Sequence, residues 1–107
     1  MSPKRYNNIM KYELETTQEF DKWLKKIRDK KVLHRFDVRF NRIINGNFGD
    51  AKQVATNLFE LRFFFGSGYR IYYTVQNEKI VLLLCGGDKS SQSKDIAKAK
   101  DLLKELR

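Results

Sequence analysis

At 107 residues the chain has room for one small core and no second one. Its 22 Lys and Arg outnumber 13 Asp and Glu, a net charge of +9 that favours nucleic acid or an acidic protein as partner. The 41% hydrophobic and 13% aromatic content supplies a core and excludes a disordered chain, while a lone cysteine, Cys85, excludes an internal disulfide.

Residues Met1 to Asn8 are polar, carry the only proline, and read as a loose leader. Met10 to Thr16 alternates apolar and polar residues, which predicts a half-buried strand. Thr16-Thr17-Gln18-Glu19 has the spacing of a capping box, with the Thr16 hydroxyl taking an orphan amide and Glu19 reaching back. Phe20, Trp23, Leu24 and Ile27 then mark the apolar face of a helix whose other face carries Lys22, Lys25, Lys26 and Arg28. A polar break at Asp29-Lys30-Lys31 leads to a second helix with Leu33, Phe36, Phe40, Ile43 and Ile44 as its stripe, stopped by Asn45-Gly46. So short a connection predicts an antiparallel helical hairpin.

Asn47 to Asn57 shows little periodicity and reads as a loop. Strands are expected at about Leu58–Phe65, Tyr69–Val75 and Lys79–Cys85, the first two joined by Gly66-Ser67-Gly68. Ile80 to Leu84 is apolar on both faces, the pattern of a central strand covered on both sides. Ser90 to Ser93 offers N-caps for a last helix lined by Ile96, Ala99, Leu102, Leu103 and Leu106. The order is βααβββα.

Strand period puts Glu60, Arg62, Arg70 and Tyr72 on one face of the hairpin, with Phe65 opposite Tyr69 and Arg62 opposite Tyr72 in the expected register. Guanidinium suits phosphate because its planar fork donates parallel hydrogen bonds and stays charged. Glu60 is placed to orient Arg62 or to accept a proton. Gly86-Gly87-Asp88-Lys89 reads as a loop from the central strand to the last helix, where free amides and Lys89 would draw an anion; Gln92 and Lys94 would add donors. The alternative for all of these residues is a cross-strand ion pair on a wet sheet face and ordinary solvated loop chemistry.

Other chemistries find little support. His34 is the only histidine and has no carboxyl or cysteine cluster around it, so a surface role is expected. Cys85 ends an apolar strand and reads as a buried, inert thiol, and Trp23 as core. No metal-ligand spacing, phosphate-binding loop or dinucleotide fingerprint occurs, and no apolar run reaches the ~20 residues of a membrane span. Without a secretion-signal pattern, the expected location is the cytoplasm.

The blocks T-T-Q-E-F-D-K-W-L-K-K-I-R-D, I-I-N-G-N-F-G-D, E-L-R-F, G-S-G-Y-R-I-Y-Y and L-L-L-C-G-G-D-K-S-S-Q-S-K-D-I resemble the Gp49-like, HigB-related addiction-module killer branch of the RelE/ParE toxin superfamily. The resemblance implies an α+β domain spanning the chain: a small RelE-like fold with a twisted, mainly antiparallel four-stranded sheet. An N-terminal helical hairpin and a C-terminal helix would pack on it. It also implies the toxin of a type II toxin–antitoxin pair, with a helix-turn-helix antitoxin as partner. The implied activity is cleavage of mRNA on the ribosome without metal or other cofactor, the 2′-hydroxyl attacking the adjacent phosphate. Arg70 and Lys89 then match the family's cations, with Arg62, Glu60 and Tyr72 as further catalytic candidates and Lys94, Gln92, Lys25 and Lys26 as RNA-binding candidates. One departure stands out: Lys89 to Ile96 holds neither the Tyr nor the His that such nucleases often place there. That departure keeps open a ParE-like toxin that inhibits DNA gyrase by binding, and a family member that only binds nucleic acid or its antitoxin.

Overall fold

Residues 11–106 are described in the computed structural model, so the expected leader at Met1–Asn8 and the strand residue Met10 lie outside the described residues. The elements are β1 (Glu13–Thr16), α1 (Gln18–Lys25), α2 (Lys30–Ile44), β2 (Ala51–Ala55), β3 (Leu58–Arg62), β4 (Tyr69–Gln76), β5 (Ile80–Asp88) and α3 (Gln92–Glu105). A 3₁₀ turn, Lys89–Ser91, precedes α3. The five strands form one sheet in the order β1-β5-β4-β3-β2, parallel only where β1 meets β5. The α+β class is the one expected, with one strand more.

That extra strand is β2, which falls where a loop was expected. Its two exposed residues, Lys52 and Gln53, are consecutive, and its ladder with β3 shifts register between Gln53 and Ala55. An irregular edge strand breaks the apolar–polar alternation that would have betrayed it. Asn57, with φ 56°, turns the chain back into β3.

Strand alternation divides the core between the two sheet faces. Leu61, Phe63, Ile71, Tyr73, Val81 and Leu83 pack with Phe20 of α1 and Val32, Phe36 and Ile43 of α2. Leu58, Tyr72, Leu82, Leu84 and Cys85 pack with Ala99 of α3. The central position inferred for Ile80–Leu84 therefore holds, since β5 lies between β1 and β4 under helices on both sides. Phe20 meets Phe40 and Trp23 stacks on Phe36, ring pairs that run in the order of an antiparallel helix pair.

The helix starts differ from expectation by one residue. Thr17, not Thr16, caps α1: its Oγ1 accepts from Phe20 N at 3.0 Å and donates to the Leu84 carbonyl at 2.7 Å. Thr16 is committed to pairing with Leu83 in the β1–β5 ladder, and Glu19 instead takes Lys98 Nζ at 2.6 Å. Asp29 caps α2 by accepting from Lys31 N, and Asn45 closes it, with Gly46 at φ +94° leading the chain away.

Candidate functional site

The β3–β4 register places Arg62 opposite Arg70 and Glu60 opposite Tyr72. The expected pairing of Arg62 with Tyr72 is thus displaced by two residues, because β3 stops at Arg62 and residues 63–68 make the connection. An even displacement leaves every side chain on its expected face. Glu60, Arg62, Arg70 and Tyr72 do share one face, the one that α3 covers.

That cover changes the character of the face. Glu60 and Tyr72 are 0% exposed and Arg70 is 7% exposed, so these three form a buried polar cluster and not a wet sheet surface, while the Arg62 side chain stays 34% exposed. Glu60 Oε2 accepts from Tyr72 Oη at 3.0 Å and from Gln92 Nε2 at 2.7 Å. Glu60 Oε1 faces Arg70 Nε at 3.9 Å, beyond hydrogen-bond length, and neither atom has another partner among the described residues. The only hydrogen bond to the Arg70 guanidinium among those residues is a long one, Nη1 to the Tyr69 carbonyl at 3.5 Å. Burial, followed by the bond to Glu60, pushes the Tyr72 hydroxyl well above its ordinary range.

A bulge tunes the neighbouring strand. Between β4 and β5 the pairing jumps from Tyr72–Cys85 to Tyr73–Leu83, leaving Leu84 unpaired in the ladder and its carbonyl to Thr17. The extra residue turns Cys85 toward α3, where its Sγ lies 3.7 Å from the Asp95 carbonyl. Burial pushes this thiol up to about 12, which agrees with an inert structural cysteine. The same phase change sends Gly86 toward Trp23 and Gly87 toward Asp95 and Ser91, each too close for a side chain to intervene.

Gly86, Gly87 and Asp88 are strand residues paired with Ile71, Arg70 and Tyr69, and the loop expected there is absent. The amides at the start of the following turn are not free either. Asp88 Oδ1 accepts from Ser90 N at 2.9 Å, and Ser91 Oγ accepts from Asp88 N at 3.3 Å. A carboxyl group of the chain already occupies the place where an anion was expected. Ser91, the residue before α3, bonds Asp95 Oδ2 at 2.5 Å and makes no cap bond to α3.

Lys89 itself is exposed and stands beside the hairpin connection, with its side chain against Gly68. Arg70 and Lys89 line a common open hollow of about 430 Å³ whose wall is the segment Phe64–Gly68. Arg62 does not join them. Its Nη2 reaches Asp50 Oδ1 at 3.1 Å, and it lines a second hollow with Arg35, Arg39 and Arg42. The three cations expected in one hollow are therefore divided between two, with Phe64 and Phe65 bordering both.

The remaining candidates are scattered. Gln92 spends its amide on Glu60, and Lys94 is exposed on α3. Lys25 and Lys26 line a third crevice with Lys22, Trp23 and Lys98, away from Arg70. His34 is exposed. Among the described residues no group of three or more His, Cys, Asp or Glu could hold a metal ion, and no helix is long and apolar enough to cross a membrane.

Sequence reasoning missed Arg39 and Asp50. Arg39 donates to the carbonyls of Phe48, Asp50 and Arg62 at 3.0, 2.9 and 2.9 Å, which ties α2 to the end of β3 and to the segment before β2. Its burial lowers its proton affinity relative to a free arginine. A signal was present: Arg35, Arg39 and Arg42 recur at i, i+4 and i+7, a helical stripe of cations.

The chain matches the family described as Phage derived protein Gp49-like over residues 18–104. It belongs to that family. The Gp49-like proteins are addiction-module, toxin-like proteins, so membership marks this chain as toxin-like and implies an antitoxin as partner. An uncharacterized protein of Haemophilus influenzae is 47% identical over 97 residues, covering 91% of this Gp49-like chain and 98% of its own. No solved structure matches.

Proposed function

We propose that this Gp49-like protein is the toxin of a type II toxin–antitoxin pair and cuts mRNA on the ribosome without a metal. The observation that carries the reading is Arg70: a guanidinium nine-tenths buried, its Nε unpartnered, opening with Lys89 into one hollow. Such a group is held by its surroundings before any ligand arrives, so little reorganisation is needed when charge develops on a phosphate.

In this reading the RNA 2′-oxygen attacks the adjacent phosphorus and the bond to the 5′-oxygen breaks, giving a 2′,3′-cyclic phosphate and a 5′-hydroxyl. Arg70 and Lys89 neutralise the extra negative charge of the crowded phosphorane. Glu60 and Tyr72 are buried behind Arg70 and act as positioning residues, together with Gln92. No His, Tyr or carboxyl group lines the hollow among the described residues, so the 2′-hydroxyl proton passes to water and water returns a proton to the leaving 5′-oxygen. General acid–base help is typically worth ~10²–10⁴-fold, and the rate is correspondingly modest.

The same missing base favours a second reading, a toxin that poisons DNA gyrase by binding alone. Induction in cells followed by pulse-labelling separates the two. The nuclease reading predicts early loss of protein synthesis with wild-type protein and normal synthesis with Arg70→Ala. Early DNA damage with sustained translation would overturn it.

A further inference from the structure

Phe64 is 77% exposed, between Phe63, which is buried, and Phe65, which packs against the core. Alternation forces this: Phe63 and Phe65 turn toward Phe36 on the helical-hairpin side, and Phe64 must point away. A single exposed apolar residue is ordinary. This one borders two cationic hollows, Arg70 with Lys89 on one side and Arg62 with Arg35 and Arg42 on the other. Arg62 also lies over the Phe64 ring, with Cζ 5.8 Å from its centroid. Arg39, in contrast, is spent on backbone carbonyls and adds little to the surface.

We infer that Phe64 is a stacking platform for one base of a single-stranded RNA, whose flanking phosphates enter the two hollows. The inference rests on the nuclease reading and extends it, since it assigns the path of the strand on either side of the reacting phosphate. An aromatic face flanked by arginines is what unpaired nucleic acid requires: π-surface for the base and separate cations for successive phosphates. An acidic protein segment is the competing occupant. It would meet the same charges, but a protein anchor favours a concave apolar pocket over a protruding ring.

The test is the affinity of the purified protein for a 2′-O-methyl oligoribonucleotide, which binds but lacks the attacking hydroxyl, measured by fluorescence anisotropy over a range of salt. Phe64→Ala is expected to weaken binding by roughly 5- to 100-fold with no change in salt dependence, and Phe64→Trp to restore it. Arg35→Gln with Arg42→Gln is expected to flatten the slope of log affinity against log salt by about 0.7 for each phosphate left without its cation. Phe64→Ala binding within twofold of wild type overturns the inference, as does a loss confined to an acidic peptide. If wild type cuts RNA while Phe64→Ala binds undiminished, the inference fails and the Arg70 reading stands. If binding depends on Phe64 in a protein that never cuts RNA, the stacking surface is upheld and the nuclease reading falls.

Discussion

Arg70 is confined by burial beside a carboxylate that is itself held in place. The Glu60 carboxyl group is pinned by Tyr72 below and Gln92 above, and Arg70 rests 3.9 Å from its free oxygen. Tyr72→Phe removes one pin without opening a large cavity. It is expected to cost about 1–3 kcal/mol in urea denaturation, because the buried carboxylate loses one of its two hydrogen bonds. A second consequence is alkaline sensitivity. Burial pushes Cys85 and Tyr73 up to about 12 from ordinary values of 9.0 and 10.0. Below about pH 9 both groups keep their protons whether the chain is folded or not, and they leave stability unchanged. Between about pH 9 and 12 the unfolded chain sheds protons that the folded chain retains, so stability falls as pH rises. Urea midpoints should therefore drop from pH 9 to 11, and a flat profile would contradict these burials. The face shared by Glu60, Arg62, Arg70 and Tyr72 was legible in the sequence because the strand period is robust to an even slip. The burial of Glu60, Arg70 and Tyr72 was not, since nothing local tells which sheet face a distant helix will cover.

Among the elements, β5 is the most constrained. Its bulge at Leu84 fixes which way Cys85, Gly86 and Gly87 face, and Thr17 takes the carbonyl that the bulge releases. Thr17→Ala should cost about 1–2 kcal/mol, from the lost cap of α1 and the stranded carbonyl, read as a lowered urea midpoint. Gly86→Ala drives a methyl into the Trp23 ring and should cost about 1–3 kcal/mol in the same assay. The helices, β3 and β4 were readable because each carries a period of its own, and the central position of β5 because its run from Ile80 to Leu84 is apolar on both faces. Edge strand β2 was not, since its pattern is broken at Gln53, and the Thr17 cap was not, since adjacent threonines compete until β1 claims Thr16.

At the scale of the molecule, cations among the described residues gather in separate territories. Arg70 and Lys89 share one hollow, the arginines of α2 share a second with Arg62, and the lysines of α1 share a third with Lys98. An antitoxin need cover only the first to silence the proposed activity, while the others remain open to RNA or ribosome. The central claim is that the Arg70–Lys89 hollow drives RNA scission. The most direct test is the single-turnover rate at which ribosome-bound mRNA is cut by wild type and by Arg70→Ala, with circular dichroism showing equal folding. The account predicts a fall of about 10²-fold or more, the usual loss for one preorganised charge donor. A variant that cuts within threefold of wild type would contradict it.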